Sequence, residues 1–433
     1  MAGRIKQMID TLIEQESRGD PRLSNITRTK LIVRGIHPDK YSAHSEDDPI
    51  IIRQLEKMIR LTGITNAAVA ISQEENVKDA VLEIRNTLHS VQPRMVIYFA
   101  SPRHDPHELA RQMNDAFAPA AVFGCTTAGE LANTRMLKGS VVAMALNSNI
   151  IEDVRVTVIP DLADAEGVNA AFSEFEEYFK TPMRDMDFQK YVGIILFDGL
   201  AGAEERTMEA IGDLTRVLFI GGSAGDDQKF AATYVAANGV ASSNAAVLAL
   251  MRPAVKFDFI KTQSFRILEK HLVPTKINEA TREVCEFNGR PAVDAYAEAV
   301  GCRPDEIASR FMINPFGLVV GHDDVFVRSP CRAEGKSICL FCHVKAGMDL
   351  ALLESTNIIV DTKVALERKK MELGRISAII NFHCILRTLE LEQKGLTEEY
   401  GRIFTGVPTI GFSTYGEEFI GHINQTSTML VFR

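Results

Sequence analysis

Three stretches of the chain carry the same succession of apolar and polar segments. Each opens with an apolar run of strand character, namely MVIYFA (95–100), YVGIILF (191–197) and ISAIINFHCIL (376–386). A segment with helical spacing of its apolar positions follows each run, as in Leu109, Met113 and Phe117. A strand, a helix and a strand in series predict a right-handed parallel crossover. The pattern therefore predicts an α/β fold built from repeated units.

Each repeat then reaches a glycine-rich loop, and another apolar strand follows the loop. The loops are GCTTAGE (124–130), GGSAGD (221–226) and GFSTYGE (411–417), the second being one residue shorter. Ligands bind open α/β sheets at the carboxyl ends of parallel strands. We therefore expect the glycine loops to converge with the segments that follow the first strand of each repeat, which are Ser101–His104, Asp198–Gly202 and Arg387–Thr388.

The first 65 residues lie outside this pattern. Ile5, Ile9 and Leu12 fall on one stripe of a helix, and residues 17–25 look like a polar break. Asp48 before Pro49 predicts an N-cap, and the second helix that it opens carries Ile52, Leu55, Ile59 and Leu61. This segment could pack onto the main body, or it could serve dimerisation or partner binding.

The remaining segment, residues 254–375, is less regular. Strands are predicted around 257–267 and 338–344, a strand–turn–strand over 318–330, and helices over 291–300, 304–311 and 363–373. We predict three parts: an N-terminal helical extension (1–65) and two related halves (66–255 and 256–433). Both halves consist of strand–helix–strand–Gly-loop units that form mixed sheets.

Composition narrows the function classes. The chain has 433 residues, 46% of them hydrophobic, and a formal net charge of -9, which argues against nucleic-acid binding. No apolar run approaches the ~20 residues of a membrane helix, and Asp10 and Glu14 interrupt any signal core. The seven scattered cysteines fit a reducing compartment. We expect a cytoplasmic protein without a membrane or nucleic-acid partner.

The candidate ligand-binding residues lie in and beside the loops. Glycine allows backbone N–H groups to approach a ligand, hydroxyls donate and accept, and the carboxylates could accept from an ammonium group. Arg387 could pair a ligand carboxylate in a bidentate manner. The alternative is that these residues only form tight turns. The candidates are Cys125, Thr126, Thr127, Glu130, Asp198, Gly222, Ser223, Asp226, Arg387, Ser413, Thr414 and Glu417.

Several of these motifs together resemble a known family. FGCTTAGE, LFDGL (196–200), FIGGSAGDD (219–227) and NFHCILR with GFSTYGEEFIGHINQT are similar to the FIST family over about residues 66–433. The resemblance implies a sensory module that binds a small ligand and signals through a partner, such as a histidine kinase or other signalling protein. It implies ligand sensing of the kind found in bacterial signal transduction, without catalysis. The sequence does not decide whether the chain forms a homodimer.

A second resemblance concerns the nitric-oxide-sensing NosP group, to which YFASPRHD (98–105) and the first loop are also similar. That resemblance implies haem and a sensor that regulates a histidine kinase. The axial candidates would be His104, His322, His383 and His422. Covalent haem at Cys339-Leu-Phe-Cys342-His343 is rejected, since SICLFCHV is predicted to be a strand and no export signal is visible.

Two further hypotheses remain open. An enzyme is disfavoured because the chain has no nucleophile elbow, P-loop or dinucleotide fingerprint. Cys125 could be a nucleophile, but a buried inert thiol is favoured, because no His-Cys-Asn order surrounds it and the other loops have Gly222 and Phe412 at the matching place; no metal site is expected. A protein-interaction scaffold is the remaining alternative. The favoured prediction is a small-ligand sensor whose ligand is an amino acid or another small polar molecule.

Overall fold

The computed structural model describes residues 3–17, 20–42, 45–62, 65–321 and 324–433. It comprises two compact units, Met1–Asn66 and Ala67–Arg433. No helix in these described ranges is long and apolar enough to cross a membrane.

The first unit contains three α-helices and a short 3-10 helix (Pro38–Lys40) within its described residues. The α-helices are α1 (Arg4–Ser17), α2 (Pro21–Val33) and α3 (Pro49–Thr62). Ile5, Leu12, Leu31 and Leu55 form its core, and Asp48 Oδ1 accepts from Ile50 N at 2.7 Å, which confirms the predicted cap. The predicted polar break over 17–25 is wrong from Pro21 onwards, because Asp20 caps α2 there. The side chains of Ile59 and Leu61 lie outside the described part.

The second unit is built from three repeats, each with three strands joined by helices, then a hairpin and a last strand; repeats 1 and 2 have two such helices and repeat 3 has three. Repeat 1 contains β1 (Ala67–Ser72), α4 (Val77–Leu88), β2 (Met95–Ala100), α5 (Pro106–Phe117), β3 (Ala121–Thr126), β4 (Glu130–Ala132), β5 (Arg135–Leu137) and β6 (Val141–Leu146). Repeat 2 contains β7 (Ile151–Ile159), α6 (Gly167–Phe179), β8 (Val192–Phe197), α7 (Glu204–Leu214), β9 (Phe219–Ser223), β10 (Val235–Ala237), β11 (Val240–Ser242) and β12 (Ala246–Pro253).

Repeat 3 begins with β13 (Phe257–Gln263) and is interrupted at once by an inserted module, residues 264–356. The module contains β14 (Phe265–Leu272), β15 (Pro274–Asn278), β16 (Glu283–Phe287), β17 (Arg290–Pro291), α8 (Ala292–Val300), β18 (Phe316–Val320), β19 (Asp324–Arg328), β20 (Pro330–Glu334), β21 (Ser337–Leu340) and β22 (Leu350–Ser355). The repeat then resumes with α9 (Ile358–Leu373), β23 (Ala378–Cys384), α10 (Ile385–Lys394), α11 (Thr397–Arg402), β24 (Thr409–Thr414), β25 (Glu417–Phe419), β26 (His422–Ile423) and β27 (Thr426–Phe432).

Each repeat forms one mixed sheet with a single parallel strand pair. The pairs β2–β3, β8–β9 and β23–β24 are parallel, which confirms the predicted crossovers. The outer strands of each sheet pair antiparallel, in the orders β1-β6-β2-β3, β7-β12-β8-β9 and β13-β27-β23-β24. Helices α4 and α5 cover the outer face of the first sheet, and their apolar side chains form its outer core.

The hairpins close the three repeats into a ring. The β10–β11 hairpin of repeat 2 extends the sheet of repeat 1, and the β25–β26 hairpin of repeat 3 extends that of repeat 2. The β4–β5 hairpin of repeat 1 extends the sheet of repeat 3. The inner faces of all three sheets share one apolar core, in which the rings of Phe99 and Phe412 lie 4.5 Å apart.

Three local predictions are corrected by the structure. The helical segment predicted after the third apolar run is divided into α10 and α11, because Gly395 adopts a left-handed conformation that ends α10. The predicted helix over 304–311 is a 3-10 turn at Ile307–Arg310. The strand expected over 338–344 stops at Leu340.

Candidate functional site

The three glycine loops meet and are joined by backbone hydrogen bonds. Gly225 N donates to Thr126 O at 3.0 Å, joining the second loop to the first. Ser413 N donates to Gly129 O at 2.7 Å, joining the third to the first, and Tyr415 N donates to Ser223 O at 3.0 Å. The predicted convergence of the loops is therefore confirmed, and their backbones are rigidly paired with one another.

The buried acids of the first and third loops bond to their own repeat. Thr127 Oγ1 donates to Glu130 Oε1 at 2.5 Å, and Ser140 donates to Glu130 Oε2 through N (3.0 Å) and Oγ (2.5 Å). Thr414 and Thr426 hold Glu417 in the same way. Burial raises the pKa of each carboxyl to about 7 despite these hydrogen bonds. The two acids are thus structural partners of the loop hydroxyls.

The second loop departs from this arrangement. Asp198 receives hydrogen bonds from Thr233 Oγ1 and Asn244 N, and so anchors the hairpin of repeat 2. Ser223 Oγ donates to Glu204 Oε1 at 3.1 Å. Burial raises the pKa of Asp226, but hydrogen bonds from Tyr415 and the following backbone outweigh burial and lower it. These side chains also hold loops together.

A narrow cleft opens at the carboxyl ends of β2 and β3. Its cavity volume is about 10 Å³, and it is lined by Tyr98, Ser101, His104, Thr126 and Tyr234 among others. The His104 side chain is buried, and its Nδ1 has no hydrogen-bond partner. Burial and the adjacent Arg103 lower the pKa of His104, and the backbone of Glu75 offsets them only in part. The cleft is therefore lined by neutral hydrogen-bonding groups.

The same place in repeat 3 holds a buried arginine. Arg387 is 2% exposed, and its Nη atoms donate to Ser264 Oγ at 3.3 Å and to Thr362 Oγ1 at 3.1 Å. Among the described residues, no carboxylate lies within ion-pairing distance of its guanidinium. A buried charge without a partner is costly in a protein interior.

Two further polar atoms on this face of the sheet lack partners. Thr262 and His383 both align with Ser427 of β27, so all three side chains lie on the helix-covered face. Thr262 Oγ1, His383 Nε2 and Arg387 Nε are buried without hydrogen bonds. We call Thr262, Ser264, Thr362, His383 and Arg387 the Arg387 cluster. Its unmet donors and acceptors are what a small ion or zwitterion would satisfy.

The Arg387 cluster also clamps the neck of the inserted module. Ser264 is the first residue of the module, and Thr362 lies in α9 just after it ends. Thr356 N donates to Ser264 O at 2.7 Å, which holds the two ends of the module together. Arg387 bonds to one hydroxyl on each side of this neck, so a change at Arg387 reaches the module directly.

Two family models match the chain, one for each half of a single protein family. The FIST N domain matches residues 94–290, and the FIST C domain matches residues 292–419. The protein belongs to the FIST family. FIST domains are associated with small-ligand sensing in signal transduction rather than with catalysis. No curated protein matches the chain.

The boundary between the two family models, at residues 290–292, lies within the inserted module. The predicted division of the chain into residues 1–65, 66–255 and 256–433 stays a prediction. The predicted ligand residues fall into three groups in this FIST fold. Arg387 and Ser413 lie on the helix-covered face of repeat 3, where Thr388 Oγ1 is 2.7 Å from Ser413 Oγ, and Cys125 and Thr126 border the cleft of repeat 1. The others lie among the joined loops, namely Thr127, Glu130, Asp198, Gly222, Ser223, Asp226, Thr414 and Glu417. Their ligand contacts stay predictions.

Sequence reasoning missed the partners of Arg387. The structure also gives a reason why the thiol of the first loop is inert. Ser264 and Thr362 belong to no motif, and they reach Arg387 only because Ser264 follows β13 and Thr362 lies in α9 of the folded repeat 3. Cys125 faces the central apolar core, where burial raises its thiol pKa well above the usual value. A thiol in this state is a poor nucleophile.

The three axial candidates that the structure describes do not fit a haem in this conformation. His104 borders a cleft with a cavity volume of about 10 Å³, far below the ~300–1,000 Å³ of most ligand pockets. His383 Nδ1 lies 3.0 Å from Tyr400 Oη, and His422 Nδ1 lies 2.8 Å from Glu418 Oε1. Both rings are buried. His322 lies outside the described residues.

Proposed function

We propose that this FIST protein is a sensor that binds a small carboxylate-bearing molecule, such as a free amino acid, at the Arg387 cluster. The observation that carries the proposal is the buried guanidinium of Arg387 without a carboxylate partner. A ligand carboxylate would supply the missing charge in bidentate form. His383 Nε2 and Thr262 Oγ1 offer additional polar contacts to the rest of the ligand. The protein acts by binding, in the cytoplasm, without catalysis.

The signal would pass from Arg387 to the inserted module. A ligand carboxylate competes with Ser264 and Thr362 for the guanidinium, because these hydroxyls occupy its Nη donors in the present structure. Release of the two hydroxyls loosens the neck of the module. Ligand binding then shifts the population of module positions by the difference in affinity between them. A partner signalling protein, such as a histidine kinase, would sense that shift.

The proposal is tested by thermal unfolding with a panel of free L-amino acids and, as chemical controls, their methyl esters. The acids should raise the Tm of the wild type and of Arg111→Met, which removes an exposed arginine. They should not raise the Tm of Arg387→Met, and the esters should act on none of the three. A Tm rise that persists in Arg387→Met, or no rise with any acid, contradicts the proposal.

Two outcomes would relocate the function. A rise that His104→Leu abolishes and Arg387→Met leaves intact would place the ligand in the cleft of repeat 1, where His104 Nδ1 is unpartnered. A Soret absorption in protein from haem-supplemented cells, shifting with nitric oxide, would favour the haem alternative.

A further inference from the structure

A second polar cluster lies where the inserted module contacts repeats 2 and 3. Cys342 of the module, His422 of repeat 3 and Glu205 of repeat 2 each place one donor atom within 4.8 Å of the others. Cys342 and His422 are buried. In a tetrahedral zinc site the ligand atoms are about 3.5 Å apart. Small side-chain adjustments would therefore bring these three atoms around one ion.

The imidazole of His422 is already oriented as in known metal sites. Its Nδ1 lies 2.8 Å from Glu418 Oε1, which leaves Nε2 for other contacts. Metal-ligating histidines almost always donate their second ring N–H to a carboxylate or carbonyl. A side chain at Gly416 would collide with this ring, since its Cβ would lie 2.0 Å from His422 Cε1. Gly416 of the third glycine loop thus makes room for His422.

Polar atoms around the cluster lack partners, and its formal charges do not balance. Glu418 Oε2 and Asn424 Nδ2 are buried without hydrogen bonds. Asn424 Oδ1 lies 2.6 Å from Cys342 Sγ, so the amide borders the thiol directly. The side chain of Arg282 pairs with Glu204 at 3.3 Å and Glu205 at 2.7 Å. Glu418 pairs instead with the His422 imidazole, so the three carboxylates of the cluster outnumber its two basic side chains, and a divalent cation supplies positive charge.

We propose that Cys342, His422 and Glu205 bind a divalent transition-metal ion, with zinc the best match. Sulfur, imidazole nitrogen and carboxylate oxygen are all zinc ligands, and three protein ligands leave a fourth position for water. Glu418 is a positioning residue that orients His422. The ion joins the inserted module to repeats 2 and 3. No sequence motif marks the site, because its ligands come from three separate segments of the chain.

The cross-link complements a contact that exists without metal. His343 N donates to Glu205 Oε1 at 2.9 Å, and Ser329 Oγ donates to Gln425 Oε1 at 2.7 Å. These bonds already hold the module against repeats 2 and 3. A bound ion would therefore tighten an existing interface, and its removal would loosen the module without unfolding the repeats.

The test uses the full chain, purified without chelator or affinity metal and dialysed against zinc. We expect about one equivalent of zinc by mass spectrometry. Cobalt substitution should give thiolate-to-cobalt charge-transfer absorption. Cys342→Ser should abolish that absorption, and Cys339→Ser should keep it, since Cys339 is buried in β21 beside Glu334. Glu205→Gln should weaken zinc binding at least tenfold.

X-ray absorption of the zinc-loaded wild type needs no variant and remains decisive if Cys342→Ser fails to fold. One sulfur at about 2.3 Å with nitrogen and oxygen at about 2.0–2.2 Å is expected. Zinc below one-tenth of an equivalent after dialysis, or a zinc shell without sulfur, overturns the proposal. So does a cobalt–thiolate band that survives in folded Cys342→Ser.

Discussion

His104 and Arg387 occupy equivalent positions in repeats 1 and 3. His104 lies four residues after Ala100, which pairs with Thr126, and Arg387 lies four residues after His383, which pairs with Ser413. Both side chains are buried, and each has a ring or guanidinium nitrogen without a partner. The three-fold arrangement thus places two polar sites at corresponding ends of parallel strands, one neutral and one cationic.

In repeat 2 the position equivalent to His104 and Arg387, and the strand end before it, carry apolar side chains. Phe197 pairs with Ser223 there, and Ala201 takes the place of His104 and Arg387. Phe197 belongs to the outer core of repeat 2 together with Ala203 and Met208. Two of the three repeats therefore keep polar groups where the fold brings strand ends and a helix together, and the third uses the space for packing.

The first prediction concerns the stability cost of an unpaired charge. Arg387→Met should leave the free energy of unfolding unchanged or raise it, by up to about 3 kcal/mol, because the buried guanidinium has no carboxylate partner. Arg282→Met should lower it by about 1–3 kcal/mol, since Arg282 pairs with Glu204 and Glu205. Urea unfolding measures both. Equal losses in the free energy of unfolding for the two variants would contradict the prediction that the unpaired Arg387 stabilises the fold less than the paired Arg282.

The second prediction separates the joined loops from the ligand site. Thr127→Val removes the hydroxyl that donates to Glu130 Oε1 at 2.5 Å in a buried site, and should lower the free energy of unfolding by about 1–3 kcal/mol. Thr87→Val, at an exposed helix position, should change it by less than about 0.5 kcal/mol. Amino-acid binding, measured by calorimetry, should survive in Thr127→Val. Intact stability with lost binding would instead assign Thr127 to the ligand.

The repeated apolar runs allowed the parallel strand pairs and the meeting of the loops to be predicted, since both follow from local pattern and the handedness of crossovers. The exchanged hairpins could not be predicted, because strands such as β4 are three residues long and pair with another repeat. The partners of Arg387 escaped for a related reason. Ser264 and Thr362 lie 123 and 25 residues from Arg387 along the chain and belong to no motif, so only the folded repeat 3 shows that they are its partners.

The third prediction is a pH dependence. The pKa of Glu130 is about 7 in the folded state against 4.5 as the ordinary value. Protonated Glu130 therefore contributes stability that is fully present below pH 4.5 and is lost as the pH rises through 7. The shift corresponds to roughly 3 kcal/mol at most.

Glu130→Gln removes this titration. Its free energy of unfolding relative to wild type should rise between pH 5 and pH 8, measured by urea unfolding at each pH. Glu177→Gln, at an exposed position of α6, should follow the wild type throughout. A wild type and Glu130→Gln that differ by a constant amount across this range would show that Glu130 titrates at its ordinary pKa.

The last prediction concerns the first glycine of each loop. A Cβ at Gly124, Gly221 or Gly411 would lie 2.0, 1.7 or 2.3 Å from the carbonyl oxygen of the neighbouring parallel strand. The obstacle is backbone that belongs to the centre of each sheet, so it cannot move aside as a side chain would. Gly124→Ala and Gly411→Ala should each lower the free energy of unfolding by about 3 kcal/mol or more.

Gly212 provides the matched control, because it lies in α7 and a Cβ there would meet no atom within 4 Å. Gly212→Ala should raise the free energy of unfolding by about 0.5–1 kcal/mol, since alanine loses less backbone entropy in a helix. Thermal and urea unfolding of the three variants give the comparison. If Gly411→Ala proved as stable as wild type, the close contact between β23 and β24 at Asn381 would have to be wrong, and with it the register that aligns His383 with Ser413.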